Sequence, residues 1–316
     1  MIKYITVVAA ARFFSLSPQT LRLYRLLGNI LLERQRIQSG LPERYVERAR
    51  LLFEICERHQ AIRDGGNVLE IGTGWVHWEG MIIRLLYDVE LTLFDVWDNR
   101  LWKAFKQYFE QFDKVIDKEL DMSPMQRERA HKLLESILKA DSFNDVYQLV
   151  GAKYIINPEG TLKQFEDESF DAIVSCDVLE HIDRSILPDL IQDSYRILKP
   201  GGYCIHQIDL ADHFAYFVPR ASRKNYYKYS DKTWERFFEN KVQYFNRVQR
   251  PEWSSLFHNA GFELVEEKLL FENIDSIKID ERYNDLSRED LECMTMRVVY
   301  RKKNPALMDT VFQEMC

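Results

Sequence analysis

The chain has no closely spaced cysteines. Its five, Cys56, Cys176, Cys204, Cys293 and Cys316, lie far apart, and no CxxC pair or Cys/His spacing marks a zinc site. A reduced, cytoplasmic protein is the expectation. Long hydrophobic runs are missing too: the apolar start Tyr4 to Ala11 is broken by Arg12 after eight residues, too short to span a bilayer, and no leader cleavage site follows it. Nor is there an excess of positive charge. At a formal net charge of −7 the chain lacks the basic face that displaces phosphate counterions, so nucleic acid is not an expected partner. Internal repeats and low-complexity linkers are absent as well. With 316 residues and 46% hydrophobic content, the expectation is one large domain carrying helical additions.

What is present begins at Asn67-Val68-Leu69-Glu70-Ile71-Gly72-Thr73-Gly74, an apolar run, an acid and two glycines one residue apart. The run reads as a buried parallel strand, and the glycines let the backbone turn sharply and approach a nucleotide-like ligand at the strand's carboxyl end. A second strand, Glu90 to Phe94, closes with Asp95. In a doubly wound sheet an acid at that tip hydrogen-bonds ribose hydroxyls; helix capping is its bland alternative. Phe170 to Asp177 gives a further strand and polar turn, then a helix to Leu198 with Pro188 in its first turn. Lys199-Pro200-Gly201-Gly202 ends that helix and leads into the strand Tyr203 to Ile208. Two last strands are expected at Phe262 to Val265 and Thr295 to Arg301.

In this order the motifs resemble the class I S-adenosylmethionine-dependent methyltransferases: a hydrophobic-Glu-x-Gly-x-Gly strand, an acid after the second strand, an FDxIxxxxxLEH-like fourth strand and an LKPGG turn, over Asn67 to Arg301. The resemblance implies an α/β fold, a doubly wound Rossmann-like seven-stranded sheet with an antiparallel last strand. It also implies S-adenosylmethionine as cofactor. Glu70 and Gly72 would face its methionine amino and carboxylate groups, with Thr73 and Gly74 in close approach. Asp95 would hold both ribose hydroxyls with Val96 beside it, and Asp177 would line the pocket near the sulfonium. Two departures stand out. Val76 replaces the third glycine many such enzymes carry, and His77 occupies the third-glycine position of the dinucleotide fingerprint, which weakens a nicotinamide oxidoreductase reading. A non-catalytic partner subunit would keep the fold, but Glu70, Gly72, Gly74 and Asp95 are all intact. Gly72 to Trp75 and His206 to Trp253 are similar to methyltransferases of glycan or natural-product pathways, which implies a small-molecule or sugar hydroxyl as acceptor.

The reaction chemistry is expected after the fifth strand. His206-Gln207-Ile208-Asp209-Leu210-Ala211-Asp212-His213 gathers two histidines and two aspartates where doubly wound sheets place catalytic groups. His206 is the expected general base, oriented by Asp209 or Asp212, with His213 and His181 as the other imidazoles within reach of the role. Those residues, or Asp177-x-x-Glu180-His181, would alternatively hold a divalent cation; the second set is similar to an acid-x-x-Glu-His element that binds metal in some quinone-pathway O-methyltransferases. A metal-free site is the expectation. From Arg220 to Arg250, nine Lys or Arg against three Asp or Glu interleave with aromatic residues. Such a cap can stack on a flat or sugar ring and neutralise an anionic acceptor.

Residues 1–66 read as a helical extension, with a turn at Ser15 to Ser17, Pro18 at a helix start, a break at Ser39 to Pro42 and a helix from Glu43 to His59. The catalytic domain spans 67–301, with a helical insertion at 96–152, a cap at 210–250 and a tail at 302–316. Helical patterns at Leu101 to Leu120 and Pro124 to Leu138 suit a lid or dimer arm. Arg22, Arg25, Arg34 and Arg36 interleave with leucines, a pattern that packs on its own domain, joins a homo-oligomer or lies on a membrane surface.

Overall fold

The sequence's start and stop signals set the helix ends. In a computed structural model that describes residues 2–218, 221–275 and 277–304, helix α1 spans Ile2–Phe14, α2 Pro18–Ser39 and α3 Glu43–His59. Arg220, Cys316 and most of the tail, 305–316, lie outside the described residues. Ser17 accepts from the backbone of Thr20 while the Thr20 hydroxyl returns to Ser17, and Pro18 occupies the first turn, so α2 starts with its free N–H groups satisfied. It stops at Gly40, whose φ of +68° a side chain would oppose.

Seven strands form one sheet: β1 (Asn67–Ile71), β2 (Glu90–Asp95), β3 (Ala152–Ile156), β4 (Phe170–Cys176), β5 (Leu198–Asp209), β6 (Phe262–Phe271) and β7 (Cys293–Lys302). Their order is β3-β2-β1-β4-β5-β7-β6, with β7 antiparallel to both neighbours and the first five strands parallel. The expected doubly wound α/β sheet is present, and its order reverses between β1 and β4, the switch point where such sheets bind ligands. The Lys199 to Gly202 segment differs from the expected free turn. It lies within β5: Leu198 pairs with Phe170, the register slips, and pairing resumes at Tyr203 with Ala172. Gly202 has room for no side chain there, because a Cβ would sit 2.7 Å from the Asp171 carbonyl oxygen.

The remaining helices are α4 (Trp78–Leu86), α5 (Trp102–Asp113), α6 (Ile116–Glu119), α7 (Pro124–Lys139), α8 (Phe143–Val150), α9 (Leu187–Ile197), α10 (Asp231–Phe237), α11 (Arg250–Asn259) and α12 (Arg288–Glu292). Alternation along the strands splits the core. Val68, Leu91, Leu93, Val174 and Ile205 face a cluster containing α3, α4, α5, α7 and α8, whereas Leu69, Ile71, Ile173, Cys204 and Ile208 face α9 and α11. Leu52 and Phe53 of α3, Phe105 and Phe109 of α5, and Leu134 of α7 are buried together with β1 and β2. Each such side chain contributes about 1.5–3 kcal/mol on burial. Helix α3 and the 96–152 segment thus build the main core; they are not a detached extension and arm.

A third cluster joins the cap to the N-terminus: Phe214, Tyr226, Trp234 and Phe245 pack with Tyr4, Val8 and Ala11 of α1. Helix α2 runs on from there, laying Arg25 over Trp97 at 4.6 Å and Arg36 over Trp75 at 4.4 Å. Its other side leaves Leu23, Leu26, Leu27, Ile30 and Leu31 exposed. No described helix is long and apolar enough to cross a membrane.

Candidate active site

At the carboxyl ends of β1 and β2 the loop Gly72-Thr73-Gly74 is tied down from several sides. The N–H groups of Gly72 and Thr73 donate to the Phe94 carbonyl, and Gly74 N–H donates to Asp95 Oδ2 at 3.0 Å. Gly72 is obligatory in this packing: its φ is +70°, and a Cβ would lie 2.4 Å from a Val178 methyl. Asp95 is buried and also accepts from Val96 N–H at 2.8 Å. Burial raises its pKa, partly offset by the backbone donors of Gly74, Val96 and Trp97. Four lone-pair sites on a carboxylate leave room for further donors such as ribose hydroxyls. Val96 is exposed beside it.

Glu70 and Thr73 are turned away from this rim. Glu70 Oε2 accepts from Thr73 Oγ1 at 2.9 Å and from Gly80 N–H at 3.1 Å, deep under the loop. The chain continues with one consistent direction of donation. His77 Nδ1 donates to Thr73 at 2.7 Å, and Tyr147 donates to His77 Nε2 at 2.7 Å, since Thr73 has already spent its proton on Glu70. Burial holds His77 neutral, with a pKa near 3, and burial with the nearby Glu79 raises that of Glu70. Glu70 and Thr73 therefore brace the loop, a correction to the ligand-facing roles expected of them. His77, at the missing-glycine position, adopts a left-handed φ of 47°. The close-packing glycine is Gly80 instead, where a Cβ would meet Glu70 at 2.5 Å and Leu93 at 2.7 Å.

At the ends of β4 and β5 the expected residues separate into four places. Asp177, with a φ of 55°, accepts from Gln207 Nε2 at 2.9 Å and faces Arg48 at 3.9 Å. Gln207 in turn accepts from Arg297 Nε at 2.7 Å, and Arg48 donates to Glu79 at 2.6 Å. Arg48, Glu79, Gln207 and Arg297 line a cleft beneath α3 with Cys176 and Val174. On the opposite face, His206 is 3% exposed, bonded through Nδ1 to Ser175 Oγ at 2.8 Å and packed 5.5 Å from the Phe257 ring. The strand runs three residues past it to Asp209, so His206 does not leave the sheet at its tip. Burial lowers its pKa to about 3. Its expected role as base is corrected: it is a neutral core residue beneath α11.

Asp212 is also structural. It has no exposure, accepts from Tyr4 Oη at 2.6 Å and Phe214 N–H at 2.9 Å, and so fastens α1 to the cap. Burial raises its pKa to about 6. The aromatic residues Tyr226, Tyr227, Trp234 and Phe245 are buried against one another, which removes them as stacking surfaces for a sugar. Arg247 pairs with Asp231 at 2.8 Å and lies over Trp234. Tyr216, Phe217 and Phe237 are half-exposed rings of the cap.

The fourth place brings together His181, His213, Asp209 and Glu180. The two imidazoles lie 4.7 Å apart, and His213 Nε2 is 3.4 Å from Asp209 Oδ2. Asp209 also accepts from Tyr216 Oη and from Ala211 N–H. Burial pushes its carboxyl upward, but His213, Tyr216 and Ala211 outweigh it and hold the pKa below the ordinary value. His181 is exposed at one edge, donates from Nδ1 to the Tyr244 carbonyl at 2.7 Å, and has its pKa lowered by the crowding around it and by His213. Glu180 is 2% exposed, and both its oxygens lack a hydrogen-bond partner. Burial, then Asp177 and Asp209, raise its pKa. Sequence reasoning passed over Arg48, Gln207, Tyr216 and Tyr244, because only long-range contacts bring them to these places.

The sequence profile of a methyltransferase domain family matches residues 43–267. No curated protein matches the chain. Among solved structures, a SAM-dependent methyltransferase from Methanosarcina mazei is similar at 13% identity and a TM-score of 0.42, over 78% of this chain and 97% of that one. Phosphoethanolamine N-methyltransferase 2 from Haemonchus contortus, in complex with S-adenosyl-L-methionine, is similar at 15% identity and a TM-score of 0.44, over 80% of this chain and 52% of that one. The S-adenosylmethionine-dependent methyltransferase from Mesorhizobium loti gives 14% and 0.42, over 78% and 96%. Because the family profile spans the sheet from α3 into β6, both ends of the candidate site included, the chain belongs to the methyltransferase domain family.

Proposed function

We propose that the protein transfers the methyl group of S-adenosylmethionine to a hydroxyl of a small-molecule acceptor. The Gly72 to Gly74 loop and the buried Asp95 suit the cofactor's methionine and ribose parts, and Asp177 at the switch point suits the region near its sulfonium. The observation that carries the choice of oxygen is the cluster of His181, His213 and Asp209 just past Asp177. Methyl transfer is an in-line displacement, so the protein's task is to align the two reactants and to remove a proton from the acceptor. A neutral amine attacks before it loses a proton. A hydroxyl attacks well only as the proton leaves, and imidazoles with a carboxylate beside them provide for that. The buried cap aromatics give no support to a sugar ring in particular.

The test is to supply methyl-labelled S-adenosylmethionine with matched hydroxyl and amine acceptors and with a small-molecule extract, and to identify the labelled product by mass spectrometry. Label on oxygen is the expected result. Label on nitrogen alone, or none transferred, contradicts the reading.

A further inference from the structure

The oddest group among the described residues is Glu180. Its two carboxylate oxygens are buried with only the backbone N–H groups of Glu180 and Asp209 near them and none in normal hydrogen-bond geometry, and burying a carboxylate so weakly partnered is strongly unfavourable. Two imidazoles stand next to it. One ligand atom each from Glu180, His181 and His213 all fall within 4.8 Å of one another. His213 Nε2 makes no hydrogen bond of normal geometry, with Asp209 Oδ2 standing 3.4 Å away. His181 donates Nδ1–H to the Tyr244 carbonyl, which fixes the tautomer and leaves the Nε2 lone pair available. That outer contact is the usual companion of a metal-bound imidazole.

We propose that Glu180, His181 and His213 form a three-ligand site for one divalent transition-metal cation, with its remaining position open to the acceptor hydroxyl. Two imidazoles and one carboxylate favour a borderline ion such as Zn2+, Fe2+ or Co2+ over Mg2+, which prefers oxygen ligands. The site keeps Glu180 and His181 of the Asp177-x-x-Glu180-His181 spacing seen in the sequence but not Asp177, which is bonded to Gln207 and faces Arg48. Its third ligand comes from beyond β5. The turn that carries Glu180 and His181 is held in place by Asn246, which donates to the carbonyls of Glu180, Leu179 and Ile182, so the ligands do not depend on a mobile segment.

The cation's role rests on the methyl-transfer reading, whereas its binding does not. With the imidazole lone pairs on the cation those rings no longer serve as base; the acceptor O–H, made more acidic by the cation, instead gives its proton to Asp209 and on to solvent. The oxygen lone pair then forms the C–O bond as the C–S bond breaks, its electrons remaining on sulfur in S-adenosylhomocysteine.

The full chain, stripped of metal with a chelator and dialysed, should be titrated with Co2+ and followed by visible absorption. The expected result is one Co2+ per chain with ligand-field bands. Each of Glu180→Gln, His181→Ala and His213→Ala should weaken that binding by roughly 100-fold or more, above the roughly 10–100-fold that loss of an outer partner costs. Should either buried variant fail to fold, exposed His181→Ala decides the question. No stoichiometric Co2+ binding to the wild type, or wild-type affinity in folded His181→Ala, overturns the site. Binding of S-adenosylhomocysteine in the same preparation tests the methyl-transfer reading separately.

Discussion

The two ends of the ligand-binding edge are built in opposite ways. Around β1 and β2 the residues that shape the loop are neighbours in sequence, Glu70, Gly72, Thr73, Gly74, His77 and Gly80, closed by Asp95 at the next strand's tip. Around β4 and β5 nearly every group is held by a distant one: His181 by Tyr244, Asp177 by Arg48 and Gln207, Asp212 by Tyr4. At the first end the loop's own groups bond among themselves, Glu70 with Thr73, Thr73 with His77 and Gly74 with Asp95, although the nearby Trp75 Nε1, Asn99 Oδ1 and Tyr154 Oη have no hydrogen-bond partner. The second keeps unsatisfied groups, Glu180 and His213 Nε2, at the place where a reaction would occur. An unpaired buried carboxylate beside two imidazoles is far costlier than an unpaired indole or hydroxyl, so Glu180 and its neighbours mark a reacting end against a holding end.

Substitutions should expose that contrast. The largest effect is expected at the reacting end: Asp209→Asn should lower turnover by roughly 100 to 10,000-fold, the range for lost acid–base assistance, while S-adenosylhomocysteine affinity stays near wild type. Loss of both together would mean that the two ends are not separate. At the holding end, Asp95→Ala should cost about 1–3 kcal/mol in cofactor binding, measured by calorimetry with S-adenosylhomocysteine. Unchanged affinity there would remove the ribose role.

Smaller effects are expected from the two residues that the structure moves out of the reaction. His206→Ala should lower stability by about 1–3 kcal/mol yet leave turnover per folded molecule near wild type, and melting curves beside activity assays check both. Its pH signature has a definite sign. The folded chain refuses a proton until a pKa of about 3, whereas the unfolded chain takes it up near 6.5, so this stabilisation is present above 6.5 and lost as pH falls. Asp212 has the opposite sign. Its folded pKa of about 6 exceeds the ordinary 3.8, so the folded state binds the proton more tightly and gains about 3 kcal/mol as pH falls from above 6 to below 3.8. Denaturant titrations of Asp212→Asn across that window should show the gain abolished.

How much the sequence disclosed follows the same division. Strand alternation, the helix starts at Pro18 and Pro124, and the Gly-x-Gly turn are local signals, so the sheet and most helices were legible, and the turn with Asp95 marked the holding end, although Glu70 and Thr73 point away from its rim. Helix α8 was not singled out because eight residues in a long helical segment give no separate period. At the reacting end proximity in sequence misled. His206, Asp209, Asp212 and His213 look like one group, but strand alternation sends His206 into the α11 layer and the following turn sends Asp212 under α1. The cap's aromatic residues misled similarly, since composition cannot distinguish rings that pack on each other from rings that await a ligand.

The central claim is that the holding end receives S-adenosylmethionine. Calorimetric titration of the wild-type chain with S-adenosylhomocysteine and, separately, with NAD tests it most directly. The account predicts saturable one-to-one binding of S-adenosylhomocysteine and no measurable binding of NAD; heat from NAD with none from S-adenosylhomocysteine would contradict it.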